Sequence, residues 1–128
     1  MNRMAGYFMK SAVIYGLMGF ALGVYMGANH EFALRSTHSH LSLLGWATFG
    51  VCALYYQLVP AAANLALAKI HFWTANAGLI MLVTSLVLLS RGVSAAESGA
   101  AAGSVISFAG LAIFLYVVFR TSRRTAEE

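Results

Sequence analysis

Four stretches of this chain carry almost no charge over the length needed to cross a lipid bilayer, and that property decides what the chain can fold into. They cover 7–27, 37–59, 70–89 and 100–119. A crossing helix needs about 20 apolar residues. Lipid offers no water to backbone N–H and C=O groups, so a spanning segment must satisfy them internally. The expected fold is therefore all-α and integral to the membrane, a single four-helix transmembrane domain over residues 1–128. The polar residues fall in short connections: Asn29, His30, Glu31 and Arg35 in the first, 60–69 in the second, 91–98 in the third. They leave no room for a second domain.

Composition agrees. Only 9% of residues are charged and 60% are hydrophobic, with a mean hydropathy of +0.76. A soluble domain carries about 25% charged residues, so this chain has too few to coat a surface in water. There is no Asp, and Glu31, Glu97, Glu127 and Glu128 all lie outside the apolar runs. The net charge of +4 could point to nucleic acid, but the basic residues sit at segment ends rather than on one patch. No nucleic-acid partner is expected; the partner these charges imply is the lipid bilayer. The single cysteine, Cys52, lies within an apolar run and excludes an internal disulfide; it reads as a small packed residue.

With four spans the two termini share a side. Arg3, Lys10, Lys69, Arg120, Arg123 and Arg124 fall there, and Arg35 and Arg91 on the other, six against two. The excess of Lys and Arg on cytoplasmic loops then predicts cytoplasmic termini in a bacterial-type inner membrane. The first span also has the order of a signal peptide, basic residues before an apolar run. Its apolar stretch exceeds the usual 7–15 residues of such a signal and no clean A-x-A site follows, so it reads as a retained helix.

Gly19, Gly23 and Gly27 recur at four-residue spacing in the first span, with Gly16 nearby, and Gly99, Gly103 and Ser107 repeat the device in the fourth. Small residues at this spacing let helix backbones approach closely in lipid. Packing within one four-helix unit is the simpler use; contact between subunits is the other.

Chemistry concentrates at the head of the second span, in His38-Ser39-His40. Ionisable side chains at membrane depth are costly and mark functional sites by default. Neutral imidazole is also the usual ligand for haem iron, zinc or copper. Residues i and i+2 lie about 200° apart around a helix, so the two imidazoles diverge and serve two sites rather than one ion. Gly45 lies seven residues beyond His38 and Ala47 seven beyond His40, each on its histidine's own face. Small residues there would leave room for a flat macrocycle.

Thr37-His38-Ser39-His40-Leu41, then Gly45, then Tyr55-Tyr56-Gln57-Leu58-Val59-Pro60 resembles the tenth helix of haem-copper oxidase subunit I, which carries an H-x-H and closes on proline. Leu67-Ala68-Lys69-Ile70-His71-Phe72-Trp73 with Gly78 resembles the start of that family's eleventh helix. The match covers about a third of the chain. It implies that His38 and His40 are axial ligands to two different haems, and that Arg91, in the matching outer loop, pairs with a haem propionate. Arg35, at the same face, suits that role by charge and height, and simple interfacial placement is the other reading of both arginines. In that family twelve helices form three arcs of four, so three copies of this chain, as a homotrimer, would rebuild the ring.

The departures limit the analogy. The oxidase copper site needs further histidines, two of them adjacent, and a tyrosine; this chain has no adjacent pair, and position 42 is Ser42. Oxygen reduction is not expected. His71 aligns with a family residue that is not a haem ligand and is expected at the interface beside Trp73. The expected function is a b-type cytochrome-like protein binding haem b, for electron transfer or diatomic gas binding with an unidentified redox partner. The alternatives are a copper- or zinc-binding membrane protein and a haem-free accessory subunit of a respiratory complex.

Overall fold

A computed structural model describes residues 1–125, with side chains through Ser122. The side chains of Arg123 and Arg124, and Glu127 and Glu128 altogether, lie outside the described residues. Four helices are long and apolar enough to cross a membrane, the pattern of a multi-pass membrane protein: α1 (Arg3–Asn29), α2 (Arg35–Leu58), α3 (Ala66–Ser90) and α4 (Glu97–Thr125). No strand occurs among the described residues.

The helices outrun the apolar segments at several ends. Arg3 and Lys69 are polar yet already helical, because a helix continues past the hydrocarbon into the headgroup layer. Asn2 starts α1 by accepting the Ala5 N–H on its side chain at 2.9 Å, the usual N-cap role of asparagine. Pro60 sits at the first position of a one-turn helix, Pro60–Ala63, where its missing N–H costs nothing. Gly92, at φ +83°, ends α3: its N–H reaches Leu89 O and the Val93 N–H reaches Leu88 O. This left-handed turn is one that glycine adopts without a Cβ penalty.

Helix α2 is not uniform. Arg35–His40 is α-helical, Leu41–Thr48 is π-helical, and Phe49–Leu58 is α-helical again. A π-helix bonds i to i+5, is rare, and clusters at functional sites. The Thr48 hydroxyl donates to Leu43 O at 2.9 Å within this stretch.

Because lipid tails are as apolar as leucine, helices associate in a membrane by close packing rather than by hydrophobic burial. Two seams show it. Between α3 and α4, a Cβ on Gly78 would come within 2.5 Å of Ser107 N, and one on Gly103 within 2.6 Å of Leu82 N. Gly99 meets Ser85 and Gly110 meets Ala75 in the same seam. Between α1 and α2, Gly16 lies under the Trp46 indole and Gly19 under Ser42. Both glycine stripes are thus consumed inside one chain, the simpler of the two uses; Gly27 faces nothing within 4 Å.

At the end that holds the termini, an aromatic cluster joins all four helices. Phe8, fully buried, has ring centroids of Phe49, Tyr56, His71 and Phe72 at 5.4, 5.3, 4.8 and 5.2 Å. Phe114 of α4 closes it, 5.1 Å from His71 and 5.4 Å from Tyr55. Each such pair contributes about 0.5–1.5 kcal/mol beyond area burial. Tyr55 OH and Thr121 Oγ1 share a hydrogen bond at 2.6 Å, and Asn2 reaches Tyr56 O and Gln57, tying α1 to the end of α2. Farther along, the Tyr15 hydroxyl donates to Asn76 Oδ1 at 2.7 Å, linking α1 to α3. The buried Ser107 hydroxyl has no protein partner. It lines a cavity of about 20 Å³ with His71 and Cys52, room for one water molecule.

Candidate functional site: the His38–His40 end of α2

His38 and His40 occupy the first turns of α2, before the π-helical stretch, at the end away from the termini. His38 is half-buried against α1. Its Nδ1 lies 2.8 Å from Gly19 O, and its Cε1 would be 3.0 Å from a Cβ on Gly23. The ring reaches a helix-backbone carbonyl because two glycines, four residues apart, present no side chain in the way. His40 is also half-buried and is tied within its own helix: its Nδ1 lies 2.8 Å from Ser36 O, one turn back.

A carbonyl oxygen can only accept, so in each neutral imidazole Nδ1 carries the proton and Nε2 keeps its lone pair. The two rings therefore share one tautomer while held by different elements, His38 by the neighbouring helix and His40 by its own. A metal-ligating histidine almost always donates its other ring N–H to a carbonyl, carboxylate or water, which fixes the ring and raises its basicity. These are nitrogen donors of the kind that would hold a haem iron.

Space fits on one flank only. Below His40, Ala47 is exposed and the surface is open. Below His38, the room expected at Gly45 is taken: a Cβ there would lie 2.6 Å from Tyr15 Cβ and 3.2 Å from Leu79 Cδ2. Gly45 lets α1 and α3 approach α2, so within one chain it provides packing, not an open floor for a macrocycle.

Arg35 and Arg91 are exposed at the same end as the histidines. The Arg35 guanidinium lies 6.0 Å from the centre of the Phe32 ring. Among the described residues no three or more of His, Cys, Asp and Glu stand together in a way that could hold a metal ion.

The expectation for His71 is corrected. It is not an interfacial residue but 2% exposed in the aromatic cluster. It is stacked on Phe114, with Nδ1 3.0 Å from the Tyr56 hydroxyl. The adjacent Trp73 is 69% exposed, so neighbours in sequence sit on opposite sides of α3. The pairing of Tyr56 with His71, the Gly19–Gly23 rest for His38 and the π-helical stretch had no reading in the sequence. The 15-residue separation of Tyr56 and His71 across a short connection is the one signal that could have paired them.

No family model, no curated protein and no solved structure matches this chain.

Proposed function

We propose that this chain is a membrane haem-binding protein of b-type cytochrome character, with His38 and His40 as axial ligands. The observation that carries the reading is the shared tautomer. Both Nδ1 atoms rest on backbone carbonyls at 2.8 Å, so both Nε2 lone pairs are presented to a metal. The resemblance of 36–78 to the tenth and eleventh helices of haem-copper oxidase subunit I points the same way. When bound, the haem would supply electron transfer or the binding of a diatomic gas. The chain's own part is narrower. His38 and His40 would hold the iron, the Gly19 and Ser36 carbonyls fix the ring planes, and Arg35 and Arg91 would offer guanidinium groups to propionates.

We further propose a homotrimer in an inner membrane with both termini cytoplasmic. The imidazoles diverge by about 200°, so a single helix α2 faces two boundaries. A haem shared between His38 of one protomer and His40 of the next would use every ligand in three equivalent sites, a heterologous interface that closes under rotation.

An absorption spectrum of the purified protein tests the first proposal. A Soret band with sharp reduced α and β bands is expected. Colourless protein with copper or zinc would favour the metal-binding alternative, and colourless metal-free protein the accessory-subunit one. Mass measurement in detergent with haem quantified per chain tests the second; a stable haem-loaded monomer would overturn it. Reporters fused to the C-terminus and to the 91–98 loop test the orientation, and a C-terminal reporter active outside would reverse it.

A further inference from the structure

The end of the fold opposite the histidines contains a groove of about 1150 Å³ between the start of α1 and the start of α3. We propose that this groove binds the headgroup of an anionic phospholipid. Arg3 of α1 and Lys69 of α3 line it from its two sides. Neither described carboxylate is near: Glu31 lies in the first connection and Glu97 begins α4, both at the other end. Among the described residues the groove is therefore a cationic concavity, at the level where helices leave the hydrocarbon. Basic pockets between transmembrane helices at this level bind anionic headgroups, each nearby Lys or Arg favouring the anion.

The walls match the other half of a lipid. Tyr7, Phe72 and Trp73 line the groove, with ring centroids 5.8 Å apart for Tyr7–Phe72 and 5.4 Å for Phe72–Trp73. Tyrosine and tryptophan are the side chains that settle at the membrane–water interface, apolar body toward the chains and polar tip toward the headgroups. Tyr7 is 43% and Trp73 69% exposed, so the wall is open to the bilayer rather than sealed by protein. The Arg3 guanidinium donates to the Tyr7 hydroxyl at 3.4 Å, and the Asn64 side chain adds a neutral polar group on the α3 side. A phosphodiester can sit between Arg3 and Lys69 while its acyl chains run along Phe72 and Trp73. A zwitterionic headgroup would bring a second cation into the same space, so the net-anionic lipid is preferred.

Native mass spectrometry of the full chain decides this. The protein is released from micelles holding equimolar phosphatidylglycerol and phosphatidylcholine with identical acyl chains. In the wild-type chain, phosphatidylglycerol adducts should exceed phosphatidylcholine adducts by roughly tenfold. The Arg3→Gln/Lys69→Gln chain should bring that ratio close to one. Lys10→Gln, a cation of the same helix that does not line the groove, should leave it unchanged. If the double variant does not accumulate, the two single variants carry the comparison, each lowering the ratio. A wild-type ratio near one overturns the proposal, as does a ratio that Arg3→Gln and Lys69→Gln leave intact. Displacement of the bound lipid by inorganic phosphate alone would assign the groove to a free anion, and would overturn it too.

Discussion

The two ends of the four-helix unit use histidine in opposite ways. At the end holding the termini, His71 is sealed among Phe8, Tyr56 and Phe114, and its Nδ1 is engaged by the Tyr56 hydroxyl. At the other end, His38 and His40 are half-buried and bonded only to backbone carbonyls at Nδ1. One end is a packed polar–aromatic knot in which imidazole serves as a core ring. The other is a lightly packed collar in which imidazole is aimed by the backbone and its second nitrogen is spared. The histidines of the two ends thus differ in hydrogen-bond partner as well as in burial.

The sharpest way to break this contrast is to damage the knot. Phe8→Ala removes the ring at its centre, and aromatic-to-alanine changes in a core cost about 3–5 kcal/mol. The melting temperature of the solubilised protein should fall steeply, while folded molecules keep the haem spectrum of the wild type. A spectrum lost in parallel with stability would mean the two ends are not separable.

Next in size is removal of the proposed ligands. His38→Ala and His40→Ala should each lower haem content roughly tenfold or change the spin state, with little change in melting temperature, because neither ring fills a core position. Haem per chain by pyridine haemochrome, read beside the melting curve, checks both. If His71→Ala strips the haem while these variants retain it, the assignment of roles is inverted.

How far such roles could be foreseen depends on what lipid makes visible. The four spans were legible because the bilayer demands about 20 apolar residues of every crossing segment. Which face of a span is buried was not, since a helix surrounded by lipid is apolar all round. His71 and Trp73 differ by two positions and by almost their entire exposure, yet nothing in Lys69-Ile70-His71-Phe72-Trp73 separates them. The glycine stripes were readable as packing surfaces, but their partners belong to other helices. Tyr15 closing the space at Gly45 is the clearest case. The H-x-H was readable as two diverging donors; the carbonyls that set their tautomer come from Gly19 and Ser36 and carry no side-chain signature.

A smaller effect tests the knot's polar contact. Tyr56→Phe deletes the hydrogen bond to His71 while keeping the ring, and a typical intramolecular hydrogen bond contributes about 1 kcal/mol. The melting temperature should drop by a few degrees with no spectral change. A shift in the haem bands would show that the His71 end communicates with the collar.

The smallest expected effect is also the most local. Gly23→Ala places a methyl 3.0 Å from His38 Cε1, enough to tilt the ring without unfolding anything. Its matched control, Gly27→Ala, meets nothing within 4 Å. Low-temperature electron paramagnetic resonance of the oxidised haem should shift for the first and not for the second. Identical spectra would detach His38 from the iron.

Between knot and collar lies the π-helical stretch Leu41–Thr48, and it acts as a swivel made from surplus chain. Relative to an unbroken α-helix, a widened turn takes up an extra residue, so the angular setting of the His38–His40 collar is decoupled from that of Tyr56. Deleting a single residue there, with the helix closing up to plain α geometry, would leave the two ends nearly in register. Plain α geometry over the same number of residues would instead turn one end against the other by about 100°. The direction in which the two imidazoles point is thus stored in the widened turn. Losing the widened turn without losing a residue would re-aim the collar while every side chain at both ends stays the same.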